Sequence, residues 1–143
     1  MSEQANVETV KMVFDEINSH SLGQVNHLYH EAYRFEAPGA PGALNIGQSQ
    51  AYIQGFLDAF PDLHFKLERI IAQGDLAAVD WLATGTHTGP LRTPTGNSLP
   101  PTGKKTLIPG ANTYQFKDGK IIRSWTHWDM ATLLAQLGMM PGM

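Results

Sequence analysis

The sequence predicts an α+β domain in which N-terminal helices pack across the concave face of a curved antiparallel sheet and enclose an apolar pocket. Apolar residues recur at helical spacing in the first part of the chain, whereas the later part alternates as strands do. Two turn signals, Gly74-Asp75 and Asp118-Gly119, each separate a pair of strand-like runs. With 143 residues the chain fits one compact unit, so we expect residues 1–143 to form a single domain.

Three amphipathic helices are predicted before the main strands. The first carries apolar residues at helical spacing, namely Val7, Val10, Phe14 and Ile17, and it ends near Asn18. A shorter helix is predicted over 24–29. The third is marked by Ile53, Phe56, Leu57 and Phe60, and Pro61 stops it. Each of these helices would present one apolar face to a core.

The first half of the sheet is predicted from three strand-like runs. A short strand covers 33–36, and the Pro- and Gly-rich segment 37–42 ends it. The runs 65–73 and 76–86 flank Gly74-Asp75 and therefore predict a long antiparallel hairpin.

The second half of the sheet is predicted from the last third of the chain. Strands over 112–116 and 121–128 flank Asp118-Gly119, a dipeptide that tolerates the positive φ angles of a tight hairpin turn. A helix follows directly after Asp129. The preceding segment, 88–104, holds four prolines and three glycines, so we expect an irregular loop at the pocket mouth.

Composition excludes several classes of partner. The formal charge is −3 and Lys and Arg form no run, which argues against binding to nucleic acid or to an anionic membrane. The chain has no cysteine, so it can form neither a disulfide nor a thiolate nucleophile. Its polar, acidic start and the absence of a long apolar stretch lead us to expect a cytoplasmic protein.

Five short motifs carry a family resemblance over most of the chain, from Val7 to Pro141. They are Phe60-Pro-Asp62, Thr84-Gly-Thr-His-Thr-Gly89, Pro101-Thr-Gly-Lys104, Asp118-Gly-Lys-Ile121, and Trp128-Asp129 leading to Gln136-Leu-Gly138. In this order the sequence resembles the SnoaL-like polyketide cyclases of the nuclear-transport-factor-like superfamily. The resemblance implies a cone-shaped homodimer with a deep apolar pocket, no metal or organic cofactor, and a small hydrophobic carbonyl or aromatic polyketide-like ligand. It also implies an intramolecular aldol ring closure.

In those cyclases a histidine and an aspartate project from the two strands of the final hairpin, and the aspartate is the general acid/base. Aligned by the Asp118-Gly119 turn, this sequence has Asn112 at the histidine position and Thr126 at the aspartate position. An amide and a hydroxyl can hydrogen-bond a carbonyl or enolate oxygen, but neither takes up a proton near neutral pH. The base of the related ketosteroid isomerases is also missing, since Ala37 holds its place.

Other residues are candidates for moving the proton. Glu36 lies at the end of the first strand and could act as a base if buried; a solvated strand-end charge is the open alternative. Asp129 could be the acid/base, although its place before a helix favours an N-cap role. His127 alternates with Thr126, which favours a surface or dimer-interface position. His87 is a minor candidate at the pocket rim, with loop hydrogen bonding as the alternative.

Large aromatic residues are expected to bind substrate around the sheet and pocket. They are Phe14, Tyr33, Phe35, Trp81, Tyr114 and Trp128. Strand alternation places Asn112 and Tyr114 on the same face as Ser124, Thr126 and Trp128, which we assign to the cavity. His27 and His30 lack further ligands nearby, so we expect no metal site.

The function predicted from these observations is a cofactor-free enzyme that acts on a hydrophobic carbonyl compound by enolate chemistry. Aldol-type cyclisation, retro-aldol cleavage and water addition all fit, as activities of the cyclase, lyase or isomerase type. Asn112, Thr126 and Tyr114 would bind the oxyanion, and Glu36 or Asp129 would move the proton. A protein that binds a small hydrophobic ligand without chemistry is the alternative, as is a dehydratase, hydrolase or hydroxylase on the same fold.

Overall fold

The computed structural model describes residues 2–92 and 97–139. The elements in chain order are α1 (Glu3–Asn18), β1 (Tyr29–Glu36), α2 (Ile46–Ala59), β2 (His64–Gln73), β3 (Leu76–Thr86), β4 (Leu91–Arg92), β5 (Ser98–Leu99), β6 (Lys105–Lys117), β7 (Lys120–Trp128) and α3 (Met130–Gln136). The predicted α+β class is confirmed, with helices at the start of the chain, a run of strands, and a closing helix.

The main sheet has five strands in the order β1-β7-β6-β3-β2. The pairings β2/β3, β3/β6 and β6/β7 are antiparallel, as predicted. The edge strand β1 instead runs parallel to β7. A parallel pair needs a long connection, and here α2 and the strands β2 to β6 lie between the two partners in the chain.

Three predicted boundaries differ from the structure. The helix predicted over 24–29 is a single 3-10 turn, Asn26–Leu28, and no side chain caps its start. Strand β1 begins at Tyr29 because this segment pairs with β7 from Ile121 onward. Strand β6 begins at Lys105, since it pairs with β3 along the whole length of that strand.

The loop predicted over 88–104 contains β4 and β5, two antiparallel strands of two residues each. Positions 93–96 of this loop lie outside the described residues. Pro141, the end of the family resemblance, also lies outside them. The hairpin turn between β6 and β7 is confirmed, because Asp118 and Gly119 adopt φ angles of 54° and 77°.

The N-terminal helices begin at capping residues that the sequence provides. The Ser2 side chain accepts a hydrogen bond from the Ala5 amide at the start of α1. A capping box starts α2, where Asn45 and Gln48 exchange side-chain and backbone hydrogen bonds. Helix α1 packs against β2 and β3, α2 packs against β1, and α3 packs against β6.

Buried residues alternate with more exposed ones along the central strands, and these buried residues mark the inner face of the sheet. In β3 the buried positions are Ala77, Val79, Trp81 and Ala83, and their neighbours are more exposed. The paired strand β6 buries Ile108, Asn112, Tyr114 and Phe116 in the same alternating way. These residues share a core with Val10 and Phe14 of α1, which leaves the apolar cavity on the helix side of the sheet.

Candidate functional site

An apolar cavity of about 110 Å³ lies between the inner face of the sheet and the helices. Two groups of aromatic side chains form much of its lining. One group runs from β1 through α2 to β7, with ring centroids 5.6 Å apart for Phe35 and Tyr52, 5.3 Å for Tyr52 and Phe56, and 5.5 Å for Phe56 and Trp128. All three pairs meet edge to face, a favoured packing of aromatic rings.

The second aromatic group comes from α1, β2 and β3. Phe65 lies at its centre, with its ring centroid 5.6 Å from Phe14 and 4.9 Å from Trp81. All three side chains line the cavity. The site therefore presents flat apolar surfaces to a ligand, with polar groups confined to a few positions.

Hydrogen bonds within the protein fix the orientation of the Asn112 side-chain amide. Its Oδ1 accepts a hydrogen bond of 3.1 Å from the indole Nε1–H of Trp81. Its Nδ2 donates a bond of 2.8 Å to the hydroxyl of Tyr114. Because an indole nitrogen can only donate, Oδ1 must face Trp81 and the amide cannot be reversed. Among the hydrogen bonds of the described residues, no other one involves Nδ2, and Asn112 lines the cavity.

Thr126 adds a second polar group beside this amide. It pairs directly with Asn112 across β6 and β7, and it also lines the cavity. Among the hydrogen bonds of the described residues, none involves its hydroxyl, which can therefore donate to or accept from a ligand.

Two predicted ligand-binding tyrosines stand outside the cavity lining. Tyr114 is buried and accepts the hydrogen bond from the Asn112 amide. The hydroxyl of Tyr33 lies 2.5 Å from Ser124 Oγ in a separate buried hydrogen bond. Burial raises the pKa of both phenols, so both stay neutral over the physiological range. They support the inner face of the sheet without reaching the cavity.

Comparison with known proteins identifies the family. The model of the SnoaL-like polyketide cyclases matches residues 8–137. The chain belongs to the SnoaL-like polyketide cyclase family. A search of curated proteins found no match.

Solved structures show the same SnoaL-like fold. AclR of Streptomyces galilaeus, a proposed hydroxylase, superposes with a TM-score of 0.84 at 23% identity, over 99% of this chain and 86% of AclR. A proposed SnoaL-like polyketide cyclase of Jannaschia sp. CCS1 gives 0.82 at 25% identity, over 97% and 95% of the two chains. Wild-type IdmH of Streptomyces antibioticus, a proposed polyketide cyclase, gives 0.76 at 28% identity, over 92% and 96%.

The three candidate proton carriers, Glu36, Asp129 and His127, are not among the residues that line the cavity. Glu36 is 45% exposed and forms an ion pair of 2.8 Å with Arg123. Asp129 caps α3, accepting hydrogen bonds from the Ala131 amide and the Thr132 hydroxyl, as the N-cap interpretation predicted. His127 is exposed on the outer side of β7, the side that strand alternation predicted.

His87 is buried directly after the end of β3 and does not line the cavity. It is 0% exposed, and its ring stacks on Phe60, with centroids 5.2 Å apart. Its Nδ1 accepts a hydrogen bond from the Thr102 amide and lies 3.0 Å from the Thr102 hydroxyl, which confirms the loop-bonding interpretation. Burial lowers the pKa of His87. Phe60 lines the cavity, and His87 supports it from behind.

Part of the aromatic lining was missed by the sequence prediction. Tyr52 and Phe65 were not chosen as ligand-binding residues, yet both line the cavity. The signal available for Tyr52 was its spacing of four residues from Phe56, which puts both on one face of α2. The Tyr52 hydroxyl donates to the Pro38 carbonyl at 2.7 Å, and burial raises the pKa of Tyr52 to about 12.

Within 2–92 and 97–139, no three His, Cys, Asp or Glu side chains come together as a metal site requires. No helix in those ranges has both the length and the apolar character to cross a bilayer. The cytoplasmic location stays a prediction.

Proposed function

We propose that this SnoaL-like protein is a cofactor-independent enzyme that promotes enolate chemistry on a hydrophobic carbonyl compound. Aldol-type ring closure of a polyketide-like substrate is the reaction that this site fits best. One observation carries the proposal: the Asn112 amide is held as a hydrogen-bond donor beside a cavity with aromatic walls.

The proposed mechanism begins with the substrate carbonyl oxygen. This oxygen accepts a hydrogen bond from the free N–H of Asn112, and the hydroxyl of Thr126 donates a second one. As a carbon next to the carbonyl loses its proton, negative charge moves onto the oxygen. Fixed donors stabilise such charge strongly where water is excluded, and loss of one typically lowers kcat by about 10²–10³.

Proton removal does not need a pocket carboxylate in this proposal. Among the described residues that line the cavity, none is an acid or a histidine. A carbon between two carbonyl groups is acidic enough to pass its proton to water or to another oxygen of the same substrate. The enolate carbon then attacks a second carbonyl, and the new alkoxide takes up a proton. The protein contributes substrate folding and oxyanion stabilisation.

The test is ring closure of a synthetic aromatic β-polyketone by the wild type and by Asn112→Leu. We expect the variant to lose about 10²-fold or more in kcat while keeping most of its affinity, because Leu preserves the size of the side chain. Thr113→Val is the matched control, since Thr113 is the neighbour of Asn112 on the other face of β6. Equal kcat in wild type and Asn112→Leu would overturn the proposal.

A second candidate function is binding without chemistry. The described residues that line the cavity favour this candidate, because they offer hydrogen bonds and aromatic contacts but no group that exchanges a proton near neutral pH. Recovery of the β-polyketone unchanged after tight binding, at the rate of ring closure seen in buffer alone, would favour this candidate.

We also propose that two copies pair through the outer face of the sheet, as the family resemblance implies. This face carries Leu82, which pairs with Pro109, and Trp125, which pairs with Thr113. On the same face, Ile71 of β2 is 70% exposed and Leu107 of β6 is 50% exposed, which are large values for apolar side chains. Sedimentation of wild type should give a dimer, and Leu82→Arg should shift it toward the monomer. A monomeric wild type would contradict this proposal.

A further inference from the structure

We infer that Gly110 is a positioning residue for the Asn112 donor, because its missing side chain is what allows Trp81 to reach the Asn112 amide. This inference rests on the proposed function only for its effect on reaction rate; the positioning itself is a property of the protein without ligand. Gly110 does not itself line the cavity, so it acts through Trp81, which does.

The contact between Gly110 and Trp81 leaves no room for a methyl group. The two residues pair directly across β3 and β6. A Cβ built on Gly110 would lie 2.3 Å from Cη2, 2.4 Å from Cζ2 and 2.8 Å from Cζ3 of Trp81. Cβ atoms in proteins essentially never approach another heavy atom within 3.0 Å. The six-membered ring of the indole therefore occupies the space that any other side chain at this position would need.

The backbone does not explain a glycine at this position. Gly110 is not among the glycines with positive φ, so an alanine could adopt its extended conformation. Glycine inside a strand weakens the strand, and it often marks the close approach of another group. Space for Trp81 is thus the reason that the structure gives for glycine here.

The position of the indole has a direct consequence for the proposed donor. Residues 110 and 112 lie on the same face of β6, so an indole lying over Gly110 brings its Nε1–H to Asn112 Oδ1 at 3.1 Å. Trp81 is 4% exposed and Phe65 packs against it, so the indole ring cannot turn out into solvent. If the ring is displaced, the amide loses the contact that fixes it and can turn its oxygen toward the ligand carbonyl, which repels it.

The experiment compares Gly110→Ala, Trp81→Phe and the double variant. The first readout is hydrogen exchange of the Trp81 indole N–H and the Asn112 side-chain amide, followed by NMR without ligand. We expect slow exchange in the wild type and exchange at least about tenfold faster in Gly110→Ala, since a buried hydrogen bond is lost. Gly55→Ala is the matched control, because a Cβ at Gly55 meets nothing within 4 Å.

The second readout is the rate of β-polyketone ring closure. Gly110→Ala and Trp81→Phe should each lower kcat about ten- to hundredfold, because both release the donor. The double variant should match Trp81→Phe alone, since phenylalanine lacks the indole atoms that the new methyl group would meet. This non-additivity is the signature of one residue acting through the other. It also keeps the test valid if Gly110→Ala alone does not fold, because the double variant lacks the indole atoms that a Cβ at position 110 would meet.

The positioning role of Gly110 and the proposed function are tested separately by these variants. Slow indole exchange in Gly110→Ala, or fully additive losses in the double variant, would overturn the positioning role. Faster exchange in Gly110→Ala with unchanged ring closure in both Gly110→Ala and Asn112→Leu would support the positioning role and overturn the proposed function instead.

Discussion

Asn112 and Thr126 face each other as a direct cross-strand pair of β6 and β7, and both side chains line the same apolar cavity. The SnoaL-like resemblance assigns a histidine and an aspartate to these two positions. This chain keeps the pair in place but replaces two titratable groups with an amide and a hydroxyl. The pair can therefore donate hydrogen bonds at any pH, and it cannot exchange a proton near neutrality.

Thr126→Asp should introduce a base into the cavity. An aspartate there would lie among aromatic walls, so its pKa should be raised, and it would act as a base only when ionised. We expect the rate of ring closure to rise with pH through that raised pKa. The measurement is a pH–rate profile of wild type, Thr126→Asp and Thr126→Asn. The same profile in Thr126→Asp and Thr126→Asn would show that this position does not reach the reacting carbon.

Asp129 should matter for stability and not for turnover. Asp129→Ala removes the cap of α3 and should cost about 1 kcal/mol of unfolding free energy. Asp129→Asn keeps a capping side chain while removing the charge, so it should unfold almost as the wild type does. Urea denaturation checks the stabilities. Both variants should retain wild-type kcat, and a large loss of kcat in Asp129→Asn would instead identify Asp129 as the proton carrier.

Glu36 offers a second test of the absence of a pocket base. Its carboxylate is bound to Arg123 and is 45% exposed, and surface ion pairs of this kind contribute about 0–1 kcal/mol. Glu36→Gln should therefore leave both the unfolding free energy and the ring-closure rate nearly unchanged. A loss of more than about tenfold in kcat would mean that a proton passes through Glu36 during the reaction.

His87 should make the fold sensitive to acid. Burial holds its pKa in the folded protein below the ordinary value, so the unfolded chain binds the extra proton more readily. Its contribution to stability should be complete above a pH of about 6.5 and should fall as the pH drops below that value. Unfolding of wild type and His87→Gln at pH 7.5 and pH 5 should show a smaller loss in the variant. His127→Gln, at an exposed position, is the control. Equal losses in all three proteins would contradict this assignment.

The final hairpin was predictable because its determinants are local. Asp118 and Gly119 accept the positive φ angles of the turn, and the turn sets the register of the two strands. Strand alternation then placed Asn112 and Thr126 on one face and His127 on the other. A period of two residues gives the face of a strand, and for these positions the face decides whether a side chain meets the cavity.

Other features depended on contacts between distant parts of the chain. Tyr33 and Tyr114 are on the inner face, yet alternation carries no information on depth, and both lie beside the cavity without lining it. The parallel pairing of β1 with β7 joins strands that lie far apart in the sequence, and no local pattern encodes it. The burial of His87 likewise requires Thr102 to fold back onto the end of β3.

We propose that the Asn112 amide donates a hydrogen bond to the carbonyl oxygen of a bound ligand. The most direct measurement is the infrared carbonyl stretch of an isotope-labelled aromatic ketone bound to wild type and to Asn112→Leu. We expect a lower stretching frequency in the wild type, because a hydrogen bond weakens the C=O bond. In the variant the frequency should return toward its value in apolar solvent. The same frequency in both proteins would contradict it.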